Sequence, residues 1–190
     1  MIETLTSYPS FQHCPNKAYP HLWKKDHFET IPFENLDAFL PAAGLFSSAH
    51  DMTLFLFFLL NQGTYHAKSV LSSSSLNQIF TPQTTATAEE FTGFASSAEI
   101  LFPTLQFLNY GLGCFIHDYR GIQMIQVPGL TDGTSSVLAL IPSLNLGIFI
   151  TANAENVYFT RALLFQFIDS YLNQKTDWNI YFLKKQRINN

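Results

Sequence analysis

The sequence predicts an α+β domain. Three observations carry that reading: four short strand-like runs follow one another between Tyr110 and Ala154 with a turn after each, a helix with an apolar stripe comes directly after them, and a small helical region precedes them. The connections between the strands are only four to six residues long, too short for a parallel crossover, so the meander of about four strands is antiparallel. The first strand is assigned to Tyr110–His117, with Leu112, Cys114 and Ile116 on one face at a period of two. Asp118–Gly121 is polar and ends in the glycine that a tight reversal favours. The second strand runs over Ile122–Val127. Pro128–Gly133 is then so rich in turn formers that it reads as a wide inter-strand turn. Thr134–Ile141 and Leu146–Ala152 complete the set.

The remaining elements follow in chain order. Pro9, Pro15, Pro20, Pro32 and Pro41 punctuate residues 1–44, and no apolar period survives between them, so this segment is expected to be an irregular connection. Residues 45–82 form the helical region. Ser47, Ser48 and Asp51 offer capping side chains ahead of Met52–Gln62, which Gly63 stops; Ser72–Ser75 caps a shorter helix over Leu76–Phe80, ended by Thr81-Pro82. Residues 83–109 are expected to be an extended loop. A helix over Val157–Leu172 carries Leu163, Leu164, Phe167, Ile168 and Tyr171 at helical spacing, a stripe suited to lie across a sheet. With residues 109–173 forming the sheet and helix and 174–190 a tail, the 190 residues read as one domain without internal repeats.

Composition narrows the function classes. Hydrophobic residues make up 47% of the chain and charged residues 13%, which fits a filled globular interior rather than a solvating segment. The formal net charge is -4, and Arg120 is the only cationic side chain between Lys68 and Arg161, so no basic surface exists for a nucleic acid. The apolar run Leu54–Leu60 is far shorter than the roughly 20 residues a membrane span needs. The first residues show neither a basic nor an apolar signal region, so no signal peptide is visible; the compartment stays open, the cytoplasm being expected only if the chain is expressed as it stands. Cys14 and Cys114 read as two free thiols.

Motifs that would announce chemistry are few. G-x-S-x-G, a Gly-rich phosphate loop, H-E-x-x-H and C-x-x-C do not occur, and the six histidines are scattered, so neither a metal nor a cofactor is expected. His21 and His27 are too loosely spaced for a zinc pair. His117, beside Asp118, reads as an ordinary residue at a hairpin end rather than a general base.

Four blocks carry a resemblance. Pro-Ala-Ala-Gly-Leu-Phe-Ser-Ser-Ala-His-Asp-Met-Thr-Leu-Phe-Leu (Pro41–Leu56), Tyr-Gly-Leu-Gly-Cys (Tyr110–Cys114), Pro-Gly-Leu-Thr-Asp-Gly-Thr-Ser-Ser (Pro128–Ser136) and Ile-Thr-Ala-Asn-Ala-Glu-Asn (Ile150–Asn156) resemble, in order and spacing, segments of the serine β-lactamase and penicillin-binding family. The likeness is to the class C-like branch, with its esterases and D-alanyl-D-alanine carboxypeptidases, and runs from Asn16 to about Asn173. It implies an antiparallel sheet covered by helices beside a helical region, with an active site in the cleft between them, and an acyl transfer to water through a serine acyl-enzyme. It also implies that this chain corresponds to the C-terminal half of that fold.

The family's catalytic groups do not carry over. No lysine here has a serine three residues before it; the nearest imitation of S-x-x-K is Cys14-Pro15-Asn16-Lys17, and Y-x-N occurs only as Tyr171-Leu172-Asn173, at the wrong end of the chain. Aligning the third motif on Gly129 and Gly133 puts Val127 where the family has Lys or His, keeps the glycine at Gly129, and places the backbone N–H of Leu130 at the strand-side oxyanion donor. Val127, Gly129 and Leu130 are therefore the candidate substrate-binding residues, and none is expected to be catalytic. The chain is expected to be inactive alone; the alternative is a non-catalytic binding or scaffold module derived from the family. An N-terminal half or a further copy is the expected partner, covering an apolar face of the sheet.

Overall fold

The structure is a computed structural model that describes residues 1–87, 105–175 and Trp178, with backbone alone at 105–107. Ser7 caps a first short helix, α1 (Tyr8–Gln12), accepting from the N–H of Ser10, and a hairpin follows, β1 (His21–Lys24) with β2 (His27–Thr30). Residues 1–44, read as irregular, thus hold ordered elements, and Pro9 sits in the first turn of α1, where its missing N–H costs no helical bond. A 3-10 turn at Asp37–Phe39 leads into α2 (Leu40–Ala43).

The next helix, expected over Met52–Gln62, starts three residues earlier, directly after Ser48, and ends at Leu60. In α3 (Ala49–Leu60), Ser48 accepts the N–H of Asp51 at 3.2 Å, and the carboxylate of Asp51 lies in the first turn, where the helix dipole favours it. That carboxylate is buried and clasps the start of the chain, accepting from the Glu3 N–H at 2.9 Å and the Thr4 hydroxyl at 2.7 Å. Burial alone would raise its pKa, but these donors and the Ile2 N–H outweigh it and hold the carboxyl below its usual range. A small hairpin, β3 (Thr64–Tyr65) with β4 (Lys68–Ser69), separates α3 from α4 (Ser73–Ile79), which Ser72 caps.

The sheet is antiparallel and has six strands: β5 (Thr84–Thr85), β6 (Leu105–Tyr110), β7 (Phe115–Tyr119), β8 (Ile122–Thr131), β9 (Thr134–Ile141) and β10 (Leu146–Ala152), neighbours in that order. The last helix, α5 (Val157–Tyr171), begins at Asn156, whose side chain accepts the Phe159 N–H. Successive residues of each strand point to opposite faces. Phe115, Tyr119, Met124, Val137, Ala139 and Ile141 pack under Leu164, Phe165 and Ile168 of α5, together with Trp178. On the other face Ile116, Ile125, Leu138 and Leu140 meet Met52 and Leu56 of α3. No helix among the described residues is long and apolar enough to cross a membrane.

Four expectations need correction. Tyr110–His117 is not one strand: Gly111–Cys114 is the turn between β6 and β7, with Gly113 at a φ of +85°, and Leu112 is exposed rather than facing the core. Pro128–Gly133 is not a wide turn: β8 continues through Pro128 and Gly129 to Thr131, and the reversal is the two residues Asp132 and Gly133. The stripe expected on α5 to meet the sheet is only partly right. Leu164 and Ile168 are buried, but Leu163, Phe167 and Tyr171 face solvent, and Arg161, Phe165 and Asp169 take the inward positions. Finally, the apolar sheet face expected to lie open is covered, because α3 and α5 occupy the two sides; the uncovered feature is the edge of β10, which has no strand beyond it among the described residues. The loop expected at 83–109 contributes β5 and β6, and its stretch 88–104 lies outside the described residues. So does the tail beyond 174 except for Lys175 and Trp178, and Trp178 is buried in the core.

One carboxylate ties the core together. Asp169, fully buried on α5, accepts from the Tyr119 hydroxyl at 2.8 Å, the Trp178 indole N–H at 2.9 Å, and Arg120 through Nε at 2.8 Å and Nη2 at 3.0 Å. It joins the β7–β8 hairpin, α5 and the tail at one point.

His117 is buried on the α5 side of the sheet, its Nε2 3.0 Å from Gln126 Oε1. Burial disfavours the imidazolium and lowers the pKa from 6.5, more than the Gln126 contact restores. A lowered pKa means that the unfolded chain takes up the proton first as pH falls. Stability is therefore full above about pH 6.5 and declines below it, by up to about 1.4 kcal/mol per pH unit, until the folded-state pKa is reached. Urea unfolding between pH 7.5 and 5 should show that decline, and His117→Gln should flatten it.

Candidate functional site

A cleft of about 1440 Å³ opens between the sheet and the N-terminal segment. One wall is β8 from Val127 to Thr131, with Ser136 of β9 beside it; the others come from Met52 and Phe55 of α3, the turn at Leu112–Cys114, and Phe11, Cys14 and Phe33.

The geometry of β8 follows from its register. Thr131 and Thr134 close a two-residue turn, and the closing pair of such a hairpin exchanges hydrogen bonds. Bonded and non-bonded pairs alternate from there, so Leu130, one residue back, turns its N–H and C=O away from β9. On that side β7 stops pairing at Phe115 opposite Gln126. Among the described residues no strand pairs with β8 on that side from Val127 onwards, and the Leu130 N–H points to this open edge. The same count explains Pro128: its missing N–H would also have faced the open edge, so the proline removes no ladder bond.

Gly129 lies against its neighbour. A Cβ there would come within 2.4 Å of the Ser136 hydroxyl oxygen on the paired strand, so a side chain at this position would make the Ser136 hydroxyl rotate away. Val127 shares the α3-facing side of β8 with Ile125 and is 40% exposed at the cleft; Leu130 is 38% exposed. The three residues singled out from the sequence are therefore consecutive features of one cleft wall.

The turn that precedes β7, also part of the cleft lining, is built by two glycines. A Cβ on Gly111 would sit 2.4 Å from the Ile79 carbonyl oxygen at the end of α4, and Gly113 supplies the left-handed turn. Sequence reasoning missed that Leu112 lines the cleft and that Ser136 packs against Gly129; the spacing Gly-Leu-Gly was the signal for the first, and nothing local signals the second. At the far end of β8, the Gly133 carbonyl accepts the His21 N–H at 2.9 Å, and His21 Nδ1 lies 3.0 Å from the Asn153 carbonyl, so the β1–β2 hairpin is docked on the β8–β9 turn. His21 thus has a structural setting, and no cluster of metal-ligating side chains occurs among the described residues.

The imitation of the nucleophile motif does not assemble. Cys14 donates its thiol to the Asn16 carbonyl at 3.3 Å, while the Lys17 ammonium donates to the Gln12 carbonyl at 2.7 Å and lies over the rings of Phe11 and Phe33. Cys114 is buried, donates to the Ile79 carbonyl at 3.4 Å and has its pKa pushed up to about 11 by burial, which keeps it protonated. Tyr171, of the misplaced Y-x-N, stands exposed at the end of α5.

The model of the Beta-lactamase family matches residues 3–172, nearly the whole chain. The chain belongs to the beta-lactamase family. No curated protein matches it. A solved structure that it resembles is that of the octameric penicillin-binding protein homologue from Pyrococcus abyssi, at 15% identity and a TM-score of 0.68. The match covers 92% of this chain and 35% of that one, so the fold is shared and this chain spans about a third of the other's length.

Proposed function

We propose that this chain forms the sheet wall of a β-lactamase-like serine hydrolase, an enzyme that transfers an acyl group from a lactam, peptide or ester to water, and that the chain alone is inactive. The observation that carries this is the open edge of β8, where the Leu130 N–H faces a cleft whose walls hold no serine–lysine pair of the S-x-x-K kind. On this reading Val127, Gly129 and Leu130 lie along the acyl donor, and Leu130 donates to the oxyanion. The nucleophile and its base come from a partner segment.

The edge of β10 is the place for that partner. Leu146–Ala152 carries no charged side chain and no proline, the devices that normally keep an edge strand from pairing. A segment bearing S-x-x-K and Y-x-N, or a further copy of the chain, would extend the sheet there. The octameric state of the Pyrococcus abyssi homologue is in keeping with association through such a surface.

The test is hydrolysis of a chromogenic cephalosporin and of a nitrophenyl ester. The purified chain is expected to give no turnover above buffer, and turnover is expected when a segment carrying S-x-x-K and Y-x-N is supplied in trans. Turnover by the chain alone, lost on mutating Cys14 or His117, would refute the first expectation. Failure of every such segment to restore turnover would favour the non-catalytic scaffold.

A further inference from the structure

We infer that this cleft wall selects an uncharged acyl donor with an apolar flank, and that Val127 sets the preference. The inference deepens the proposed function and rests on it. Its basis is the placement of the cationic side chains, which a carboxylate-bearing substrate would need.

Seven of the ten lysines and arginines lie among the described residues, and Lys17 is the only one that lines the cleft. Its ammonium is turned to the Gln12 carbonyl and the two phenylalanine rings. The others are engaged or placed elsewhere: Lys24 pairs with Glu29 at 3.0 Å, Arg120 is held by Asp169, Arg161 is buried under α5, and Lys25, Lys68 and Lys175 lie outside the cleft lining. Residues 88–104 contain neither lysine nor arginine. Against the single ammonium, Glu3, Glu34 and Asp132 line the cleft. Among the described residues, an anionic substrate would therefore meet more acidic than cationic side chains on the cleft lining and, where the unpaired stretch of β8 begins, Val127. Val127 and the exposed Leu112, which also lines the cleft, instead offer apolar surface to a neutral group.

Benzylpenicillin and its methyl ester differ by one carboxylate and make the comparison direct. Titrated into the 15N-labelled chain, the ester is expected to shift the amides of Gly129, Leu130 and Thr131 with a Kd about fivefold below that of the acid, the ratio that one exposed charge interaction supports. Val127→Lys is expected to reverse the order. Equal or tighter binding of the acid at the same amides of the unaltered chain would overturn the inference and leave the β8 edge standing as the acyl-donor site. If neither compound moves those amides, the assignment of that edge fails and the inference falls with it. Should Val127→Lys not fold, the comparison on the unaltered chain still decides.

Discussion

Replacing Asp169 with alanine is expected to cost about 3–5 kcal/mol, as for other buried charge partners removed on one side, out of a total stability of roughly 5–15 kcal/mol for a domain of this kind. The change leaves the Tyr119 hydroxyl and the Trp178 indole without their acceptor and strands the guanidinium of Arg120. A quarter of the Arg120 side chain is exposed, so solvent softens its share, and most of the loss comes from the two buried aromatic donors. Arg120→Ala is accordingly expected to cost less, because Asp169 keeps those two donors. Urea unfolding monitored by tryptophan fluorescence reads both, and Trp178 reports the disrupted site itself.

The second large effect separates two faces of one helix. Phe165 is buried between Tyr119, at 4.7 Å between ring centroids, and Trp178, at 5.1 Å, and its truncation to alanine is expected to cost about 3–5 kcal/mol through lost burial and the cavity left behind. Phe167, two residues on, is half exposed, and Phe167→Ala is expected to change stability by less than about 1 kcal/mol. Thermal unfolding of the two variants should differ by several degrees, with only Phe165→Ala strongly shifted.

That contrast also marks where the sequence could be read and where it could not. The caps of α3 and α4 and the bounds of β9 and β10 were legible because local chemistry sets them: a serine before an apolar run, a proline and an asparagine after a strand. The inward face of α5 was not. Phe159, Leu163, Phe167 and Tyr171 are as apolar as the residues that are buried, so apolar spacing alone did not single out the inward face, which also carries Asp169, a residue that a hydrophobic pattern assigns to solvent. Pro128 misled for a similar reason. Its cost in a strand depends on whether a neighbour needs its N–H, and that is a fact of sheet topology. Of the candidate site, Val127, Gly129 and Leu130 were found through the family's motif order, whereas Leu112 and Ser136 came into view only when the turn and the strand register placed them.

Family membership is shown and no S-x-x-K occurs in these 190 residues, and on these rests the central proposal that the chain supplies a cleft wall without the acyl-accepting serine. Intact-mass spectrometry after incubation of the purified chain with a serine-reactive fluorophosphonate and, separately, with benzylpenicillin tests it most directly. The expected result is an unchanged mass with both reagents. A stoichiometric adduct mapped to a serine of this chain that lines the cleft would contradict it.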